Sequence, residues 1–212
     1  MMRIKFTIKS ICYILLILLV ILYLFDFIGI FMWKRIALAL ALLLFFKPVR
    51  VVVPEWMGLT CISDRLCIEE PSRQAQASKL YDEALAHVNK HVGKLEARPR
   101  VLFCSTQACY HRFSFTDSKA NAVATLGIVI SPQGWQPHFL RHEMIHYLQK
   151  ERLGNLRGWL LTPEWFMEGM AYEMSGDPRS PLGEPWEGYR QRFRRWYASV
   201  PPAQLWQKAA SL

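Results

Sequence analysis

Residues 136–175 read QPHFLRHEMIHYLQKERLGNLRGWLLTPEWFMEGMAYEMS, and the rest of the chain is best read outward from them. The first part, 136–152, has helical patterning and a stop at Gly154. On that helix His142-Glu143-Met144-Ile145-His146 forms an HExxH pattern. A four-residue step puts His142 and His146 on one face, one turn apart, where two imidazoles can grip one metal ion. Glu143 projects beside them and can take a proton from a water. Thr162 is a good N-cap with Pro163 at the first helical position, which predicts a second helix running to about Ser175, before Gly176, Asp177 and Pro178. Glu168 lies on it, 22 residues past His146, inside Trp165-Phe166-Met167-Glu168-Gly169-Met170-Ala171. Those apolar neighbours favour a buried face for Glu168 over a solvated one. A catalytic zinc takes three protein ligands and keeps one position open. The expected ligands are therefore His142, His146 and Glu168, with Glu143 as general base and one Zn2+ per chain.

Upstream, residues 101–104, part of 108–115, and 122–131 read as strands, the last ending in the β-branched run GIVIS. Pro132, Gln133 and Gly134 form a turn. Leu80, Ala84, Val88 and Val92 recur every four residues, which predicts a helix over 72–93. Residues 54–71, with Pro54, Gly58 and Pro71, read as a loop. Downstream, 186–198 reads as an amphipathic helix carrying Arg190, Arg192, Arg194 and Arg195. These arginines suit a solvated face, and contact with an anionic membrane surface is the sharper reading. His138 reads as a polar helix residue, and His87 and His91 as a solvated face. The pattern is α+β: a short β-sheet with an edge strand, an active-site helix and a glutamate helix.

HEMIH followed by WFMEGMA resembles the gluzincin group of zinc metallopeptidases, over roughly residues 121–175. The Trp-x-x-Glu-Gly-x-Ala form is closest to the aminopeptidase N branch. The resemblance implies a zincin-like domain, zinc held by His142, His146 and Glu168, and Glu143 as base. Two departures qualify it. Aminopeptidases of this group hold the substrate amine with an acid on the strand before the HExxH helix, and no acid lies between Asp117 and Glu143 here. That favours an endopeptidase over an aminopeptidase. Thermolysin-like members carry an aspartate four residues after the ligand glutamate, where this chain has Tyr172.

The 212-residue chain carries a net charge of +9, and its distribution matters more than its size. Residues 1–53 hold seven Lys/Arg against one acid, Asp26, and 41 apolar residues. Residues 54–212 hold 19 Lys/Arg against 16 acids. Most of the excess flanks an oily segment, so a nucleic-acid partner is not expected. The run 11–33 is apolar apart from Asp26 and long enough to span a bilayer, while 36–46 is too short. One uncleaved anchor is favoured; a two-helix hairpin and a cleaved signal peptide are the alternatives. The division expected is a membrane anchor, 1–53, and a catalytic domain, 54–212. The implied location is a single-pass plasma (inner) membrane protein with its catalytic domain outside the cytoplasm. Cys61/Cys67 and Cys104/Cys109 suit two short-loop disulfides in an oxidising compartment, or equally four unrelated buried thiols.

The expected activity is membrane-anchored peptide-bond hydrolysis by a zinc-activated water, on a peptide or protein substrate laid along the edge of strand 122–131. Tyr172, Tyr189 or Arg179 would steady the oxyanion or support the ligands, and the sequence does not rank them. The competing reading is a non-enzymatic, zinc-stabilised domain that binds a membrane-associated partner.

Overall fold

The computed structural model describes residues 19, 20, 23, 29, 31–37 and 47–212. The chain divides into two compact units, Met1–Phe46 and Lys47–Leu212. In the first, residues 31–37 are helical. The predicted membrane-spanning helix over 11–33 is corrected: among the described residues, no helix is long and apolar enough to cross a membrane. The single-pass membrane location inferred from that helix is withdrawn with it. Most of 11–33 and of 36–46 lies outside the described residues.

The second unit is α+β. Helix α1 (Lys47–Val52) precedes a hairpin of β1 (Thr60–Ser63) and β2 (Leu66–Ile68). Helix α2 (Gln74–His91), strand β3 (Val101–Phe103) and helix α3 (Gln107–Arg112) follow. Next come β4 (Ala120–Val123), β5 (Gly127–Ile130), α4 (Pro137–Leu153), α5 (Asn155–Leu160) and α6 (Glu164–Met174). Helices α7 (Trp186–Tyr197) and α8 (Leu205–Ala209) complete it. The five strands form one mixed sheet in the order β1-β2-β3-β5-β4. The two outer pairs are antiparallel, and the inner β2–β3 and β3–β5 pairs are parallel.

The inner strands are short apolar runs because both faces of the sheet are covered. Val101 and Phe103, with Ile128 and Ile130, join a core with the buried faces of α2, α4, α6 and α7. Leu102 and Val129 point the other way and pack with Val51, Cys109, Tyr110 and Phe113. The alternation follows from the two-residue period of a strand.

Three elements differ from expectation. Residues 108–115, read partly as strand, begin with α3: Thr106 caps it by accepting from Cys109 N, and the Cys104–Cys109 disulfide pins the cap to the end of β3. Residues 122–131, read as one strand, are a hairpin in which β4, not β5, is the sheet edge. Its turn passes through Ala124 at φ 48°, where no glycine or asparagine announces it. The loop assigned to 54–71 contains the β1–β2 hairpin, held by the Cys61–Cys67 disulfide. Thr162 is not the cap of α6: Pro163 occupies the N-cap position, and Thr162 Oγ1 donates to Arg157 O at 3.3 Å. Gly154, at φ 85°, ends α4 as expected.

Candidate metal centre

Helix α4 crosses the sheet from β5 and presents His142 and His146 to α6, which returns Glu168 to the same point. The His142 and His146 Nε2 atoms lie 3.0 Å apart. Glu168 Oε2 is 3.5 Å from His142 Nε2, and Glu168 Oε1 is 3.3 Å from His146 Nε2. Metal–ligand bonds of 2.0–2.1 Å in a tetrahedron set ligand atoms about 3.3 Å apart. Two imidazole nitrogens and one carboxylate at these separations form a group that could hold a metal ion. Their chemistry fits a borderline-soft divalent ion such as zinc.

The surroundings fix each ligand. His146 Nδ1 donates to Gln149 Oε1 at 2.8 Å, which leaves Nε2 to face Glu168 and His142. Gln149, fully buried, is itself held by donating from Nε2 to Met167 O at 2.9 Å on the glutamate helix. Burial opposes a charge on His146. The Glu168 carboxylate, the Glu143 charge and the bond to Gln149 outweigh it and hold the imidazole above its ordinary value. Burial likewise opposes ionisation of Glu168, but hydrogen bonds from both histidines and their charges hold it well below the usual carboxylate range.

Glu143 Oε2 accepts from Ala122 N at 2.6 Å, and Lys150 Nζ donates to Ala122 O at 2.9 Å. Ala122 faces Ile128 across the hairpin, one residue from the Asn121–Val129 pair, so its N–H and C=O point out of the sheet toward α4. Two side chains one turn either side of His146 thus occupy the outward backbone groups of the edge strand. Burial lowers the Lys150 ammonium, against the charges of Glu143 and Glu168.

These residues line a cleft of about 720 Å³, with Tyr172, Trp186, Thr162 and Glu164 on the opposite wall. The Tyr172 ring stands edge-on to His142 at 4.5 Å between centroids. Burial raises the Tyr172 phenol, so it stays protonated. Among the three candidate oxyanion donors, Tyr172 lines the cleft. Arg179 is turned to Asp177, which it meets at 2.5 Å, with its guanidinium 5.8 Å from the centre of the Tyr172 ring. Tyr189 Oη donates to Glu164 Oε2 at 3.1 Å.

Of the other polar residues singled out by sequence, His87, Arg190, Arg192 and Arg194 have local partners, while the buried Nε2 of His138 has no hydrogen-bond partner among the described residues. His138 lies under Asp177 and Arg179, where burial lowers its imidazole. His87 Nε2 donates to Met174 O at 2.8 Å. Arg190 is 3 % exposed and binds Glu187 and Arg179 O. Arg194 pairs with Glu173, and Arg192 lies over Trp165. Arg190 is thus tied into the fold, whereas Arg192, Arg194 and Arg195 are exposed, as a solvated face expects. A second group, Glu69 with Cys104 and Cys109, has metal-site proximity, but both thiols are consumed in a disulfide. Glu69 instead accepts from the N–H groups of Ser105 and Thr106.

Sequence reasoning missed Gln149, Lys150 and Glu164. Helical spacing was the available signal: Gln149 and Lys150 follow His146 by three and four residues, and Glu164 precedes Glu168 by four. No protein-family model, curated protein or solved structure matches the chain.

Proposed function

We propose that the second unit is a zinc-dependent metallopeptidase, resembling the gluzincins, that hydrolyses peptide bonds in the cleft between β4, α4 and α6. The observation that carries this reading is the convergence of His142, His146 and Glu168 at tetrahedral separations beside Glu143. A zinc ion, when bound, would supply a Lewis acid that polarises a carbonyl and makes water acidic enough to act near neutral pH.

The chain's own residues supply the rest. Glu143 removes a proton from the attacking water as the new C–O bond forms and the carbonyl π pair moves onto oxygen; that pair then returns, and the C–N bond breaks as Glu143 delivers the proton to the leaving nitrogen. Tyr172, protonated and on the cleft wall, donates to the oxygen that develops charge. The substrate backbone pairs with the edge of β4, which gives it a fixed direction across the cleft. To do so it takes over the Ala122 N–H and C=O from Glu143 and Lys150. Substrate binding therefore releases Glu143 for its proton-transfer role. The absence of an acid on β4 still favours internal cleavage. The two disulfides support an oxidising compartment for this activity.

One observation favours the rival reading of a non-enzymatic, zinc-stabilised binding domain: Glu143 also ties α4 to β4. Glu143→Gln separates the two. A catalytic Glu143 predicts that the variant keeps its zinc and loses cleavage of a peptide library by at least about 100-fold. Cleavage at the wild-type rate, or none by the wild type itself, sinks the peptidase reading.

A further inference from the structure

The cleft has three carboxylates, and two have assigned partners. Glu168 is engaged by both histidines, and Glu143 by Ala122 N. The third, Glu164, sits in the first turn of α6 and one turn before Glu168, so it faces the same cleft. It makes no ion pair with any described cation. Its hydrogen-bond partner is the neutral Tyr189 hydroxyl, on one oxygen. Lys150, the ammonium of the cleft, feels Glu143 and Glu168 and is spent on Ala122 O. The wall around Glu164 is aromatic: Trp186 and Tyr189 have ring centroids 5.9 Å apart, and Trp186 lies 5.8 Å from Tyr172. A carboxylate bonded to the Tyr189 hydroxyl and sharing its cleft with Trp186, with no ion pair to a described cation, is complementary to an amine or guanidinium.

We propose that Glu164, with Trp186 and Tyr189, forms a subsite that selects a positively charged group on the substrate. Thr162 and Gly158 line the same cleft. The inference rests on the peptidase reading for its occupant, a peptide. The charge can come from a lysine or arginine side chain or from a free N-terminus. Either would meet the acid that β4 lacks, delivered from α6 instead.

The test measures binding, in the zinc-loaded full chain carrying Glu143→Gln so that the probes survive. Three hexapeptide amides are compared: an N-acetylated peptide with one lysine, the same peptide with glutamine, and the glutamine peptide with a free N-terminus. A cation subsite predicts about tenfold tighter binding of the lysine or the free-amine probe than of the neutral one. Which of the two gains identifies the source of the charge. Adding Glu164→Gln should erase that preference, and Tyr189→Phe should reduce it. Equal binding of all three probes, or a preference that survives Glu164→Gln, overturns the proposal. Because the neutral and charged probes are compared on one protein, a folding defect in the Glu164 variant leaves the first comparison decisive. A clear charge preference with no cleavage of any peptide by the wild type would sink the peptidase reading and leave the subsite standing.

Discussion

Gln149 shows how a single side chain connects helix packing to ligand geometry. It takes the Nδ1 proton of His146 and gives its own to Met167 O, so the imidazole tautomer depends on α6 being in place. Gln149→Ala is expected to weaken zinc affinity about 10–100-fold, read by competition with a chelator; unchanged affinity would remove Gln149 from the site. Asp177 makes a prediction about acid stability. Burial would raise its carboxyl, but the Arg179 side chain and backbone N–H hold it below the ordinary value of 3.8. Its folded-state value is depressed, so its stabilisation is present above that ordinary value and lost as pH falls through the folded one. Asp177→Asn should cost about 1 kcal/mol near neutral pH and flatten the fall in unfolding free energy below about pH 4. An acid limb identical to wild type would show that the pair is energetically idle. His142, Glu143, His146 and Glu168 were legible in sequence because a helical period and one short pattern specify their placement. Lys150 and Glu164 were not, since a lone charged residue on a helix is ordinarily solvated, and only the crossing of α4 and α6 brings the half-buried Lys150 and the exposed Glu164 to one cleft.

At the level of elements, α4, α6 and α7 were legible from periodicity and stops, whereas the strands were partly misread. Apolar period cannot separate a hairpin from one long strand when the turn residue is an alanine, as at Ala124. Nor could the sequence show why Gly169 follows the ligand Glu168. A Cβ at Gly169 would run into the backbone oxygen of Tyr189 and crowd the Phe193 Cβ on α7. That glycine lets α6 and α7 cross closely, and the crossing sets the depth at which Glu168 stands. In an exposed helix Gly→Ala stabilises by up to about 1 kcal/mol. Here Gly169→Ala should instead destabilise by about 2 kcal/mol, seen as a lower denaturant midpoint. A stabilised variant would mean that the two helices are not in close contact.

For the whole molecule, the +9 charge divides into seven Lys/Arg against one acid in residues 1–53 and 19 against 16 in residues 54–212, where Arg190 and Arg194 of α7 pair with Glu187 and Glu173. The predicted anchor is corrected on one finding: among the described residues, no helix is long and apolar enough to cross a membrane. Cysteine spacing served better: both neighbouring pairs are disulfides, one closing the β1–β2 hairpin and one locking α3 to β3. Each closes a loop of about six residues, for which chain entropy gives about 2 kcal/mol, so reduction should lower the unfolding free energy by several kcal/mol. A midpoint unmoved by reductant would mean that the bridges contribute nothing to folding. The most direct test of the central claim is the zinc content of the full chain purified without chelators, beside His146→Ala. A three-ligand centre predicts about one zinc per wild-type chain and a large loss in the variant. A wild type that takes up no zinc, or a variant that holds it equally well, would contradict it.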